Sequence, residues 1–299
     1  MRGREDANRV YDCFRPVKEI TLRRTQVTTI RSAATAALLC LTLACAPRAF
    51  GEVPDTVFLE ELTWTEVRDL VRAGKSTIIV PIGGTEQNGP HMALGKHNAR
   101  VRLLSERIAR GLGNGLVAPV IAYVPEGRLS PPTGHMRFPG TITVPDDVFQ
   151  KGLEWTARSF VVHGFRDVVF LGDHGSTQAG QKAVAARLNR EWAGGPARAH
   201  AIEEYYRASE DDFRRLLAGR GYRREDLGAH AGLADTSLTL ALDPRLVRLD
   251  RLRPGTGLGE GGDGVDGDPT RAAAELGRLG VEVIVPRTVE AIRKSIGHR

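Results

Sequence analysis

Glu86, Asn88, His91, Lys96 and His97 crowd into one short segment, GTEQNGPHMALGKHN (84–98). A carboxylate and imidazoles are the side chains that bind borderline divalent ions or carry protons near neutral pH. Gly89, Pro90 and Gly95 forbid a regular helix there, so the groups hang on a loop. Asp173, His174 and Ser176 lie together in GDHGST (172–177), and His230, Asp235 and Ser237 in GAHAGLADTS (228–237). The three cysteines, Cys13, Cys40 and Cys45, all precede this body, so its chemistry rests on histidine, carboxylate, hydroxyl or metal.

The elements that must position these loops alternate in type. STIIVPIGG (76–84) is a β-branched run ending in glycines and reads as a buried strand with the first polar loop at its carboxyl end. DVVFLG (167–172) repeats that logic ahead of Asp173 and His174, and GLVAPVIAYV (115–124) reads as another strand. LTWTEVRDLVRAG (62–74) is a helix with a capping-box pattern at Thr63 and Glu66. Helices are expected near 99–111, from Pro145 to about His163, after Ser176, and as an apolar helix that His230, Asp235 and Ser237 precede in GAHAGLADTSLTLAL (228–242); EEYYRASEDDFRRLLAGRGYRRED (203–226) reads as a charged helical pair. The alternation predicts an α/β chain, a three-layer α/β/α sandwich around a mostly parallel sheet, with ligands bound at the carboxyl ends of its strands. The glycine-rich RPGTGLGEGGDGVDGDP (253–269) lacks a phosphate loop's context and reads as a surface loop or lid.

Four segments together resemble the creatininase family. GTEQNGPHMALGKHN is similar to its Gly-Ser-x-Glu-Gln-His-Gly-Pro-His-Leu-Pro-Leu-Gly-x-Asp signature, and TGHMRFPGTITV (133–144) to its His-x-x-Phe-Pro-Gly-Thr-Ile element. HGFRDVVFLGDHGS (163–176) resembles its His-Gly-Phe strand and Asn-Gly-His-Gly-Gly turn, and HAGLADTSLTLAL (230–242) its His-Ala-Gly-x-x-Glu-Thr-Ser element. The resemblance implies an amidohydrolase that opens cyclic or linear amides with one or two divalent ions, as a homo-oligomer and often a hexamer. It implies that Glu86 and His174 are metal ligands and that His230 and Asp235 are the active-site histidine and acid. Asn88 stands in place of a metal-binding histidine, His97 in place of the aspartate that bridges two metals, and Ser176 in place of a further glutamate.

An amide is a poor zinc ligand and a neutral imidazole does not bridge two cations, so these exchanges disfavour a two-metal centre. The residues suggest instead one ion, Zn²⁺ with Fe²⁺ or Mn²⁺ as alternatives, on Glu86, His97 and His174, with His230 or Asp235 moving the proton. Asn88, His91, Lys96, His135, Asp173 and Ser176 are expected to orient those ligands or touch substrate. The function expected is hydrolysis of an amide or cyclic amide C–N bond in a small molecule. A non-catalytic binding or scaffold protein on the same fold, and a metal-dependent isomerase or lyase, are the alternatives.

Composition is that of a globular chain: 299 residues, 41% hydrophobic and 26% charged. The net charge of +6 is scattered without a basic stripe or interleaved aromatics, which argues against a nucleic-acid partner. Residues 1–51 read as an export segment ahead of a hydrolase domain over 52–299, with a basic lead, a short apolar run, and Ala49 and Gly51 placed for cleavage. The expected destination is the periplasm or the medium. The apolar run is short of the ~20 residues of a spanning helix, so stable membrane insertion is not expected after cleavage. Lipidation at Cys45 is the alternative anchor, and Arg23 and Arg24 raise a twin-arginine route. N-terminal sequencing of protein from the producing cell's envelope is expected to begin after Gly51; an intact Met1 on a soluble cytoplasmic pool contradicts export.

Overall fold

The computed structural model describes residues 54–297. The export segment expected over residues 1–51 lies outside them.

Local sequence decides most of the elements. Helix α1 (Trp64–Arg72) opens on the capping box: Glu66 Oε2 accepts from the Thr63 amide at 2.6 Å, and Thr63 Oγ1 accepts from the Glu66 amide at 3.4 Å. Strand β1 (Thr77–Ile82) follows, then α2 (Lys96–Leu112), β2 (Gly115–Val117), α3 (Asp146–Val162), β3 (Asp167–Gly172), α4 (Thr177–Glu191) and β4 (Arg198–Ala201). The charged segment becomes α5 (Glu203–Arg207), a π-helical turn (Ala208–Phe213) and α6 (Arg214–Gly219), with α7 (Arg224–Leu227) after it. Helices α8 (Leu233–Leu242) and α9 (Ala274–Gly297) close the chain. The strand expected over 115–124 is only three residues long, because Pro119 removes a ladder donor; a bridge from Ile82 to Ile121 is what remains of it. Strand β4, with arginine and histidine in a four-residue run, was not among the expected strands.

The four strands form one parallel sheet in the order β2-β1-β3-β4. Every residue of β1 and β3 is buried, and alternate side chains enter two separate cores. Ile79, Val169 and Leu171 pack with Val101 and Leu104 of α2, Leu238 of α8 and Ile284 of α9. Ile78, Val80, Val168 and Phe170 pack on the other face with Leu153 of α3 and Val184 of α4. This is the expected three-layer sandwich. Chain connections leave β1 toward β2 on one side and β3 on the other, so the crevice outside the carboxyl ends of β1 and β3 is a topological switch point. No helix among the described residues is long and apolar enough to cross a membrane.

Helices α8 and α9 approach closely because Gly277 has no side chain: a Cβ there would lie 1.9 Å from the Ser237 carbonyl oxygen. Gly277→Ala is therefore expected to destabilise the fold by about 1–3 kcal/mol through overpacking. Chemical denaturation reads this directly, and an unchanged midpoint would contradict the contact.

Candidate metal centre

Three loops meet at the switch point. The first leaves β1 and is folded on itself: Gly84 N donates to Asn98 Oδ1 at 3.0 Å, and Glu86 N donates to the Leu94 carbonyl at 3.2 Å. Asn88 fastens the same turn through Nδ2, which donates to the carbonyls of Glu86 (2.9 Å) and Ala93 (3.1 Å). Gly89 is required there, with φ +65° and space for a Cβ only 2.3 Å from Val265 Cγ2. The second loop carries Glu126 and His135 and is tied at Glu126 N to Thr143 Oγ1, 2.9 Å away. The third leaves β3 and carries Asp173 and His174.

Glu86, Glu126, His135 and His174 each present one ligand atom, and these atoms all lie within 4.8 Å of one another. Glu86 Oε2 is 3.0 Å from His174 Nε2 and 3.1 Å from His135 Nε2, yet it has no hydrogen-bond partner. Glu126 Oε2 lies 3.5 Å from His174 Nε2, and both Glu126 oxygens are buried without a partner. Burial pushes Glu126 up to about 8, with the neighbouring Glu86 charge acting in the same sense. Burial also opposes the charge of Glu86, but His97 and His174 outweigh it and hold that carboxyl well below the usual range. Orphaned buried carboxylate oxygens facing two imidazole nitrogens fit a divalent cation, which would satisfy the lone pairs that the protein leaves open.

Supporting contacts orient the rings. Ser176 Oγ is 2.6 Å from His174 Nδ1, and Gln87 Nε2 is 3.0 Å from His135 Nδ1. With Gln87 donating there, the neutral His135 ring carries its hydrogen on Nε2, so taking an ion at that atom requires the hydrogen to leave.

Glu86, His97 and His174, the set expected from sequence, lie side by side, with the His97 and His174 ring centroids 5.1 Å apart, but the ligand atoms that converge most closely are those of Glu86, Glu126, His135 and His174. Both nitrogens of His97 are occupied: Nε2 lies 2.8 Å from Glu86 Oε1 and Nδ1 lies 2.6 Å from Asp173 Oδ2. With each ring nitrogen engaged by a carboxylate, neither is free for an ion in this arrangement. Its place among the ligand atoms is taken by His135, expected only as a supporting residue, and by Glu126, which sequence reasoning missed altogether. Glu126 stands alone in VPEGR (124–128), and the only available signal was an acidic residue among apolar ones just before a glycine.

Beneath the ligand group, charges close on themselves. Asp173 accepts from Tyr205 Oη at 2.5 Å and pairs with Arg100 Nε at 3.3 Å. Asp235, expected as a proton carrier, is held by Lys96 Nζ at 3.0 Å, Arg100 Nη1 at 2.7 Å and the Ala231 amide at 2.9 Å. Burial alone would raise Asp235, but Lys96 and Arg100 hold it well below the usual carboxylate range, so it stays ionised as a counter-ion. Removing one partner of such a buried pair costs about 3–5 kcal/mol. Arg100 Nη2 also donates to Ser209 Oγ in the π-helical turn, at 3.1 Å, which ties that irregular turn to the network.

His230 sits beside the ligand group. Its Nε2 donates to the Gln87 carbonyl at 2.9 Å, leaving Nδ1 as an acceptor 3.7 Å from Glu86 Oε1. Burial and then Lys96 push His230 down to about 3, so the ring is neutral at physiological pH. His91 is 3.0 Å from Thr236 Oγ1 and braces the start of α8; burial and Lys96 push it down to about 4.

This arrangement has relatives. The family model described as creatinine amidohydrolase matches residues 60–292. The chain is 29% identical over 200 residues to creatinine amidohydrolase of Pseudomonas putida, spanning 66% of this chain and 76% of that protein. It is 27% identical over 226 residues to mycofactocin precursor peptide peptidase of Mycobacterium tuberculosis, spanning 68% and 78%. Among solved structures, a manganese creatininase superposes with a TM-score of 0.67 at 27% identity, over 81% of this chain and 99% of that one. A glutamate-to-glutamine mutant creatininase of the Zn–Zn type gives 0.66 at the same identity and coverage. With the family model spanning all three loops and the sheet that carries them, the chain belongs to the creatininase family.

Proposed function

We propose that this creatininase-family hydrolase opens an amide or cyclic amide C–N bond in a small molecule with one divalent ion held by Glu86, Glu126, His135 and His174. The observation that carries the reading is the pair of buried carboxylates with unpartnered oxygens, converging with two imidazoles at the mouth of a cleft. Two nitrogen and two oxygen donors suit Zn²⁺, with Mn²⁺ or Fe²⁺ as alternatives. A single ion is supported by the neighbouring side chains. His97 is tied between carboxylates and Ser176 faces His174, while Asn88 turns its amide nitrogen to backbone carbonyls and leaves only a neutral amide oxygen open, a poor zinc donor, so the three exchanged family positions supply no strong donor for a second cation.

When bound, the ion supplies Lewis acidity toward the scissile carbonyl and toward water. The chain's own groups do the rest. His97 holds Glu86 in place, and Ser176 fixes the His174 ring. His230 keeps a neutral Nδ1 acceptor beside the ligand group, placed to orient water or the substrate, while Asp235 keeps Lys96 and Arg100 neutralised beneath it. The cleft beside the ligand group encloses about 640 Å³, the size of a small-molecule site. Export and assembly of several copies remain part of the proposal. Large apolar side chains exposed on α1 and α3, Trp64 at 75% and Trp155 at 68%, support self-association.

Metal analysis of protein purified without chelator tests the ligand set. Wild type is expected to hold about one equivalent. Glu126→Gln and His135→Ala should lose most of it, whereas Asn88→Ala and His97→Ala should keep most. A wild-type content near two, or a Glu126→Gln variant with full metal, overturns the assignment.

The ion-free protein gives a second test. Because Glu126 is raised to about 8 in the fold from an ordinary value of 4.5, the folded state binds its proton more tightly than the unfolded state. The stability this contributes is present below the ordinary value and is lost as pH rises toward 8. Thermal melts in chelator should therefore fall across that window, and Glu126→Gln, which mimics the neutral form, should remove the decline. A decline of equal size in the variant would exclude Glu126 as its source.

A further inference from the structure

The segment that carries Glu126 and His135 also carries Arg128, which has no part in the ligand group. Arg128 lines the cleft that opens on Glu126, His135 and His174. Its backbone is pinned: the amide donates to Thr133 Oγ1 at 2.9 Å, and its carbonyl accepts from Thr133 N at 3.2 Å. Between Glu126 and Arg128 stands Gly127, at φ +135°, where a Cβ would lie 2.2 Å from the Thr133 carbonyl oxygen. The turn is thus too tight for any other residue and sets the arginine two positions from a ligand carboxylate.

The guanidinium itself is unclaimed. Among the described residues it has no carboxylate within salt-bridge reach and no side-chain hydrogen bond, although most of the described arginines are paired. It is the one arginine or lysine of the cleft lining. Asp146, the other charged group of that lining outside the ligand set, sits in the first turn of α3, where the helix dipole favours it, and does not pair with Arg128. The remaining lining is small and polar or aliphatic, with Thr133, Thr143, Ser176 and Val144, and its only aromatic rings are the imidazoles. Nothing there favours a flat ring by stacking. A planar five-donor fork open to the cleft is suited to a carboxylate, which it binds bidentately.

We propose that Arg128 anchors the carboxylate of an anionic amide whose scissile carbonyl lies at the ligand group, so that the substrate class is the carboxylate-bearing linear amide. This rests on the metal reading above. The cleft then discriminates by charge: the anion meets Arg128 at one end and the divalent site at the other, and an uncharged analogue keeps only the second contact.

The test uses the zinc-loaded full chain and a series of monohydroxamates of the dicarboxylic acids from malonate to adipate, each beside its uncharged carboxamide. Hydroxamate needs the metal in every case; only the acid needs the arginine. Isothermal titration should show at least one acid of the series binding about tenfold more tightly than its amide. Arg128→Ala should bring that acid down to its amide's affinity with zinc content unchanged, and Arg128→Lys should restore part of the difference. Equal affinity of every acid and amide in wild type, or a preference that survives in Arg128→Ala, overturns the anchor alone. Failure of every probe to bind, with zinc absent by analysis, overturns the metal reading and the anchor with it.

Discussion

Two carboxylates buried side by side are the constraint on which the rest of this structure depends. Glu86 and Glu126 have fully buried side chains, and Glu86 Oε2 and both Glu126 oxygens lack a well-formed hydrogen bond although imidazole nitrogens lie close by. Like charges so placed repel and are poorly solvated, and the imidazoles of His97, His174 and His135 are the groups at their side that offset this. A cation at the common centre would relieve both problems at once. In the ion-free arrangement, burial and the neighbouring Glu86 charge push Glu126 up to about 8.

The fold holds that arrangement by separating two charge systems. Below the ligand group, Lys96 and Arg100 meet Asp173 and Asp235, two cations against two anions, with Tyr205 and Ser209 completing the hydrogen bonds. That set is closed, so none of its members needs an ion. His97 is the one side chain that touches both systems, Glu86 on one nitrogen and Asp173 on the other. It transmits position from the neutralised base to the ligand above it. The parallel sheet makes this possible because β1 and β3 are adjacent and diverge in connection, which brings the loop after each to one crevice.

Much of this was legible in the residues, and the remainder was hidden for physical reasons. The β-branched runs at 77–82 and 167–172 and the capping box at Thr63 rest on local chemistry, and they appear where they were read. Glu86 and His174 were legible for the same reason, as polar groups at the ends of buried strands. Ligand pairing was not, because it depends on which nitrogen faces which oxygen. His97 has the right type and spacing for a ligand, but Asp173 and Glu86 claim both its nitrogens, a contact between segments 76 and 11 residues distant in sequence. Glu126 was invisible for the converse reason: it has no periodic or local partner, and contacts distant in sequence, among them the Ile82–Ile121 bridge, the Val144 amide on the Val124 carbonyl and the Thr143 hydroxyl, bring it to the crevice. Strand β4 is too short and too polar to read, since its burial comes from packing and not from its own composition.

The central claim is one ion, bound by two histidines and two carboxylates, where relatives include a Zn–Zn form. X-ray absorption at the metal edge of the zinc-loaded protein tests it most directly. The account predicts scattering from two imidazole rings with oxygen neighbours at about 2.0–2.2 Å, and no metal–metal vector. A metal–metal distance of about 3.5–4 Å, typical of paired-ion sites, would contradict it.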